Sequence, residues 1–173
     1  MSNTDYDKIL LINESPYLLK TISKQVKFEN NIKTISTKGF LNTYVKEISY
    51  PKDEKLIDYL KKFDNENTLI CIATDLDDAG EFIAYEIVKL YTQAKIIRLN
   101  IPFEKLVLID KHITLDRLVS FSTLTLNFRK IQNFISSQKK VFQKQRITAL
   151  QKLMELDKET NKDIKIDIKI QIN

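Results

Sequence analysis

Two almost continuously apolar runs, residues 8–12 (KILLI) and 68–73 (TLICIA), restrict the fold of this chain more than any other feature. A strand that is apolar at nearly every position is covered on both faces, which is typical of the central strands of a parallel sheet. The second run follows a turn-forming stretch at residues 64–67 (DNEN). The pattern therefore predicts buried parallel strands in an α/β fold.

The second run leads into an acidic loop. Asp75, Asp77 and Asp78 follow it directly, and apolar residues at helical spacing extend from Glu81 to Tyr91. Asp78 with Glu81 three residues later matches a capping box, which is sufficient reason for those two acids. It gives no reason for Asp75 and Asp77. Ligands of open α/β sheets collect at the carboxyl ends of strands, where this Asp-x-Asp pair is expected.

The first run ends in a similar junction. Glu14 follows the strand, Ser15 is suited to cap a helix, and Pro16 is suited to its first position. Glu14, Asp75 and Asp77 are thus all expected at carboxyl ends of strands. Magnesium prefers carboxylate oxygens and usually keeps waters that a phosphate can displace, so the sequence predicts that these acids share one Mg²⁺.

Several short motifs resemble, in order and spacing, those of the Toprim domain that opens type IA DNA topoisomerases. They are residues 12–16 (INESP), 20–22 (KTI), 36–39 (STKG), 73–77 (ATDLD), 80–84 (GEFIA) and 94–100 (AKIIRLN). The resemblance implies a Toprim-like (Rossmann-like), mostly parallel sheet with helices on both faces; the spacing of apolar residues adds a helical region after it and a C-terminal strand. It also implies that Glu14 acts in proton transfer, that Asp75 and Asp77 bind Mg²⁺ beside it, and that Lys20 belongs to the catalytic set.

The chain departs from the topoisomerase pattern at several positions. Leu76, Asp78 and Ala79 stand where the family motif Asp-Pro-Asp-Arg-Glu-Gly-Glu has proline, arginine and its middle glutamate. Leu18 replaces a lysine of the first motif, and Phe40 replaces a histidine. Two functions therefore stay open. One is magnesium-dependent nucleic-acid binding or phosphodiester chemistry; the other is a degenerate Toprim that serves as a DNA-binding or protein-interaction module.

Tyrosine positions bear on strand passage. Type IA topoisomerases cleave DNA with a tyrosine on a separate domain well after Toprim. All seven tyrosines of this chain lie at or before Tyr91, inside the Toprim-like part. We therefore expect that the chain does not pass strands alone, and that any activity is of an isomerase or phosphodiesterase class. Whether a partner supplies a cleavage domain stays open.

Positive charge is concentrated in one segment. Residues 117–152 contain eight lysines and arginines and no acid, although the net charge of the whole chain is only +5. Such a stretch is either a footprint for phosphate backbones, with DNA favoured over RNA, or a solvated helix face. Apolar residues at helical spacing (Leu124, Phe128, Ile131 and Ile135) predict helices here. The candidate nucleic-acid-binding residues are Arg117, Arg129, Lys130, Lys139, Lys140, Lys144 and Arg146.

We expect two parts: residues 1–110, a Toprim-like domain, and residues 111–173, a basic helical extension ending in a strand. Strict alternation of apolar and polar residues predicts a strand at residues 163–172, an edge that could pair with a second copy or a partner protein. The chain has no apolar run of membrane-spanning length and no signal peptide, so a cytoplasmic location is expected. A single cysteine and a single histidine exclude an intrachain disulfide and leave no basis for a zinc site.

Overall fold

The computed structural model describes residues 6–45, 48–141 and 164–165. The strands are β1 (Lys8–Asn13), β2 (Lys27–Phe28), β3 (Ile32–Ser36), β4 (Asn42–Val45), β5 (Ile48–Pro51), β6 (Thr68–Ile72), β7 (Lys95–Leu99), β8 (His112–Ile113), β9 (Ser122–Thr123), β10 (Thr125–Leu126) and β11 (Ile164–Lys165). The helices are α1 (Pro16–Ser23), α2 (Glu54–Lys61), α3 (Asp78–Val88), α4 (Phe103–Ile109), α5 (Leu115–Ser120) and α6 (Phe128–Val141).

A five-stranded sheet in the order β3-β1-β6-β7-β9 forms the centre of the protein. Its first four strands are parallel, and β9 pairs antiparallel with β7 at one edge. All of β6 is buried, as are the last five residues of β1. The predicted buried strands and the mostly parallel sheet are therefore confirmed.

Helices cover both faces of this sheet, as expected. Successive side chains of a strand point to opposite faces, so Leu10 and Ile12 contribute to one hydrophobic cluster and Ile9 and Leu11 to the other. The first cluster is completed by α2, α3 and α6, and the second by α1, α4 and α5. Cys71 lies in the second cluster, where burial raises the pKa of its thiol to about 12, which favours a structural role over reactivity.

The starts of α1 and α3 show how the sequence sets the loops at the carboxyl edge. Ser15 caps α1 as predicted: its Oγ accepts from the N–H of Leu18 at 3.1 Å. The predicted capping box at α3 is wrong, because the N-cap is Asp77, whose Oδ1 accepts from the N–H of Gly80 at 2.7 Å. Glu81 does not reach back to the cap, since it is buried and takes other partners.

The segment after residue 110 packs on the same core. Phe134 of α6 stacks on Phe82 of α3, with ring centroids 4.8 Å apart. The prediction that Leu124 belongs to a helix is wrong: it lies between the short strands β9 and β10 with 52% of its surface exposed. Strand β11 pairs antiparallel with β10, so residues 164–165 of the C-terminal strand pair within the chain; the rest of 163–172 lies outside the described residues. The division at residue 110 stays a prediction.

Within the described ranges, no helix combines the length and the apolar character that crossing a bilayer requires.

Candidate functional site

Glu14 and Asp75 meet at the carboxyl edge of the sheet. Glu14 follows β1 and Asp75 follows β6, and these strands are parallel neighbours. The backbone N–H of Asp75 donates to Oε1 of Glu14 at 2.7 Å, although the two residues are 61 positions apart. The structure thus joins the motifs at residues 12–16 and 73–77 by a direct hydrogen bond, and Asp77 lies two residues further along the same loop.

Asn13 holds three loops of this edge together. Its side chain is buried; Nδ2 donates to the carbonyl of Ala73 at 2.7 Å, and Oδ1 accepts from the N–H of Ser15 at 2.8 Å. Its own carbonyl accepts from the N–H of Thr37 at 2.8 Å. Sequence reasoning did not single out Asn13, although an amide at the end of an otherwise apolar strand was an available signal.

The acids influence one another electrostatically. Burial raises the pKa of Glu14, and the charges of Asp75 and Asp77 raise it further, against a hydrogen bond from the Asp75 N–H and the positive charge of Arg98. Desolvation also raises the pKa of Asp75, as do the charges of Asp77 and Glu104. Desolvation is the largest cause of both shifts, and repulsion between the ionised acids adds to it; a cation bound between them would relieve that repulsion.

Glu14, Asp75 and Asp77 all lie at the carboxyl ends of the strands, but their carboxylates do not converge as a set of three metal ligands. In the part of the chain that the structure describes, no three His, Cys, Asp or Glu side chains form a group that could hold a metal ion. One oxygen of Glu14 and one of Asp77 already accept from backbone N–H groups. The donor chemistry still fits Mg²⁺, which proteins commonly hold through one or two carboxylates, with waters and phosphate oxygens completing its shell. Asp75 and Asp77 are both exposed and able to act in this way.

A buried ion pair lies beneath the acid loop, which we define as residues 74–78. Arg98 of β7 is 1% exposed, and its Nε donates to Oε1 of Glu81 at 2.7 Å. Its Nη1 donates to the carbonyl of Thr74 and its Nη2 to that of Asp75, each at 2.7 Å. The second oxygen of Glu81 accepts from the N–H of Asn127 at 2.6 Å. Sequence reasoning missed this network; an arginine inside the apolar run of β7 was the available signal.

The acid loop folds back tightly on the start of α3. A Cβ on Gly80 would stand 2.0 Å from the carbonyl oxygen of Asp75, so only glycine fits there. The hydroxyl of Thr74 donates to the Gly80 carbonyl at 2.8 Å and closes the loop. This close approach keeps the backbone of the loop against the helix and leaves the carboxylates of Asp75 and Asp77 toward solvent.

Of the predicted nucleic-acid-binding residues, the structure brings Lys130 to the acid loop. Its Nζ donates to the carbonyl of Leu76 at 2.6 Å. Arg117 is exposed and pairs with Asp110 at 2.7 Å, and Arg129 is exposed. Lys139 and Lys140 fall in α6; their side chains, and the whole of Lys144 and Arg146, lie outside the described part of the chain.

Lys20, which the resemblance places in the catalytic set, is exposed on α1. In the described residues, no ion pair joins it to Glu14, Asp75 or Asp77.

The Toprim domain family matches residues 9–102, which is more than half of the chain. The chain therefore belongs to the Toprim domain family, and the fold expected from its motifs is confirmed. Among solved structures, it is similar to full-length topoisomerase I from Thermotoga maritima, at 17% sequence identity and a TM-score of 0.47. That similarity covers 76% of this chain and 23% of the topoisomerase chain, so this chain spans less than a quarter of that protein. No curated protein matches the sequence.

Proposed function

We propose that this Toprim protein, related to the type IA DNA topoisomerases, binds nucleic acid with Mg²⁺ at the carboxyl edge of its sheet. The observation that carries the proposal is the hydrogen bond between the Asp75 N–H and Glu14. It places the acids of two motifs beside each other where α/β sheets collect their ligands. We propose DNA rather than RNA as the partner because of the relation to topoisomerases.

Each acid has a distinct role in this proposal. Asp75 and Asp77, both exposed, would hold Mg²⁺ directly or through water. The ion, when bound, would withdraw charge from the oxygens of a phosphodiester. Glu14 would hold the proton that phosphodiester cleavage or transfer moves, because its raised pKa keeps it protonated to a higher pH than an ordinary glutamate. Lys20, exposed on the helix that follows Glu14, would contact a phosphate.

Strand passage by this chain alone is not part of the proposal. The seven tyrosines all lie at or before Tyr91, so none follows the Toprim-matched region, where the topoisomerase nucleophile is expected.

One observation favours the second candidate, a degenerate Toprim that binds DNA or a protein without chemistry. The described residues contain no ready-made group of three metal-binding side chains, and Asp77 is engaged as a helix cap. In this case the acids would serve the fold of the edge, and nucleic-acid binding would not depend on a divalent ion.

Nucleic-acid binding measured with and without the metal separates the two candidates. Fluorescence anisotropy with a labelled single-stranded DNA, and with an RNA of the same sequence, is compared in Mg²⁺ and in EDTA at matched ionic strength. We expect Mg²⁺ to tighten DNA binding by about tenfold, and Asp75→Asn with Asp77→Asn to remove this gain. Asp58→Asn is the matched control, because Asp58 is an exposed acid on α2 and does not belong to the acids that follow β1 and β6. Equal affinity in Mg²⁺ and EDTA would favour the degenerate Toprim.

A further inference from the structure

Three consecutive carbonyls of the acid loop each accept a hydrogen bond from a cationic side chain. Arg98 donates to Thr74 and Asp75, and Lys130 donates to Leu76. Arg98 lies within the region that the Toprim family matches, whereas Lys130 lies on α6, beyond residue 102. The backbone between Asp75 and Asp77 is therefore held by a residue that the matched domain does not contain.

We propose that Lys130 is a positioning residue for the acid loop, so that helix α6 sets the affinity of Asp75 and Asp77 for a divalent cation. This inference rests on the proposed function, because it concerns the same metal-binding loop. It assigns to Lys130 a more specific role than membership of a basic surface.

Rigid contacts fix the position of Lys130. Its backbone N–H donates at 3.0 Å to Oδ1 of Asn127, at the start of α6, and the N–H of Asn127 donates to Glu81 of α3. Aromatic packing of Phe134 against Phe82 holds α6 on α3 further along. The acid loop leads directly into α3, and α6 packs on α3. The half-buried Lys130 therefore approaches the loop from a helix that contacts the loop's own helix. A residue placed in this way can transmit the position of α6 to the loop.

The sign of the effect distinguishes positioning from simple charge. Lys130 carries a positive charge near a cation site, so by charge alone its removal would tighten Mg²⁺ binding. If Lys130 orients the loop, its removal weakens Mg²⁺ binding instead. Residues that orient metal ligands typically contribute a factor of about 10–100 in affinity.

The test uses the whole chain and MgCl₂ alone, followed by the amide NMR shifts of Asp75 and Asp77. We expect Lys130→Met, which keeps the aliphatic stem, to weaken Mg²⁺ binding by about tenfold, and Lys130→Arg to restore much of the loss. Arg129→Met is the matched control: it removes the same charge from the adjacent exposed residue and should leave the affinity within about twofold of wild type.

Amide hydrogen exchange of the metal-free protein gives a second readout. Exchange at the Asp75 N–H, which is bonded to Glu14, should accelerate in Lys130→Met and stay unchanged in Arg129→Met. Equal Mg²⁺ affinities for the two variants, or tighter binding by Lys130→Met, would overturn the inference. A wild-type protein that does not bind Mg²⁺ would overturn the proposed metal function, and unchanged Asp75 exchange in Lys130→Met would then overturn the positioning role as well.

Discussion

Glu81→Gln tests whether the buried ion pair holds the acid loop. The substitution keeps the size of the side chain and removes its charge, so it creates no cavity. Arg98, 1% exposed, would lose its charged partner. The two oxygens of Glu81 accept from Arg98 and from the Asn127 N–H. In the glutamine variant an NH₂ group replaces one of these oxygens, so that two hydrogen-bond donors would face each other.

The structure sets the size of the expected effect. Removing one partner of a buried ion pair costs about 3–5 kcal/mol, against a total stability of about 5–15 kcal/mol for an ordinary domain. At about 2–4 °C per kcal/mol for a chain of this size, the midpoint of thermal unfolding should fall by roughly 6–20 °C. The assay is thermal unfolding followed by circular dichroism, repeated with urea to obtain the free energy of unfolding.

Two variants control this experiment. Asp110→Asn breaks the ion pair with Arg117, which has the same length of 2.7 Å but joins an exposed arginine to a partly exposed carboxylate, and should not change the midpoint measurably. Combining Glu81→Gln with Arg98→Met should cost less than the sum of the two single substitutions, because each single change leaves the partner of a buried ion pair unsatisfied and the double change does so only once. If Glu81→Gln alone lowered the free energy of unfolding by less than about 1 kcal/mol, the buried charge of Arg98 would not need this carboxylate for its stabilisation.

Three further predictions follow from the site and the basic segment. Because burial raises the pKa of Glu14 above its ordinary value of 4.5, the folded protein keeps this proton where the unfolded chain releases it; the stability that Glu14 contributes should therefore be lost as pH rises through that window, and in urea titrations across pH Glu14→Gln should lose less stability over it than the wild type. Replacing Lys139, Lys140 and Lys144 by glutamine should weaken DNA binding and flatten its salt dependence by roughly one unit of slope per lost phosphate contact, whereas an unchanged slope would mean a solvated face. The purified chain should not relax supercoiled DNA in Mg²⁺ or Mn²⁺, and a ladder of relaxed topoisomers that disappears in Glu14→Gln would contradict this.

The strands that lead to the site, and the helix start that follows β1, were predictable because they depend on local sequence. Apolar runs identified β1 and β6, and Ser15 with Pro16 identified the start of α1. Local chemistry also misled. Asp78 and Glu81 have the spacing of a capping box, yet Glu81 forms a buried ion pair with a residue of the next strand. Local sequence does not contain that partner.

Contacts between distant segments could not be read from spacing. The basic segment was predicted to be either a phosphate-binding surface or a solvated helix face, but which of its residues reaches the acid loop depends on how α6 packs on α3. The tertiary fold places Lys130 there and leaves Arg129 exposed beside it. Leu124 has helical spacing with the residues that follow it, but pairing of the adjacent short strands delays the helix to Phe128.

The central claim is that a divalent ion binds at the edge where Glu14 and Asp75 meet, and paramagnetic broadening by Mn²⁺ tests it most directly. Substoichiometric Mn²⁺ is added to the ¹⁵N-labelled protein, and the loss of each amide signal is compared with its loss in the Asp75→Asn, Asp77→Asn variant. Asp64 is an internal control, since it is an acid at the opposite edge whose oxygens already accept from Thr92, Gln93 and Ala94. The account predicts that amides of residues 14–15 and 74–80 broaden first, that this is relieved by excess Mg²⁺, and that it is absent in the variant. Broadening centred on Asp64, or equal in wild type and variant, would contradict it.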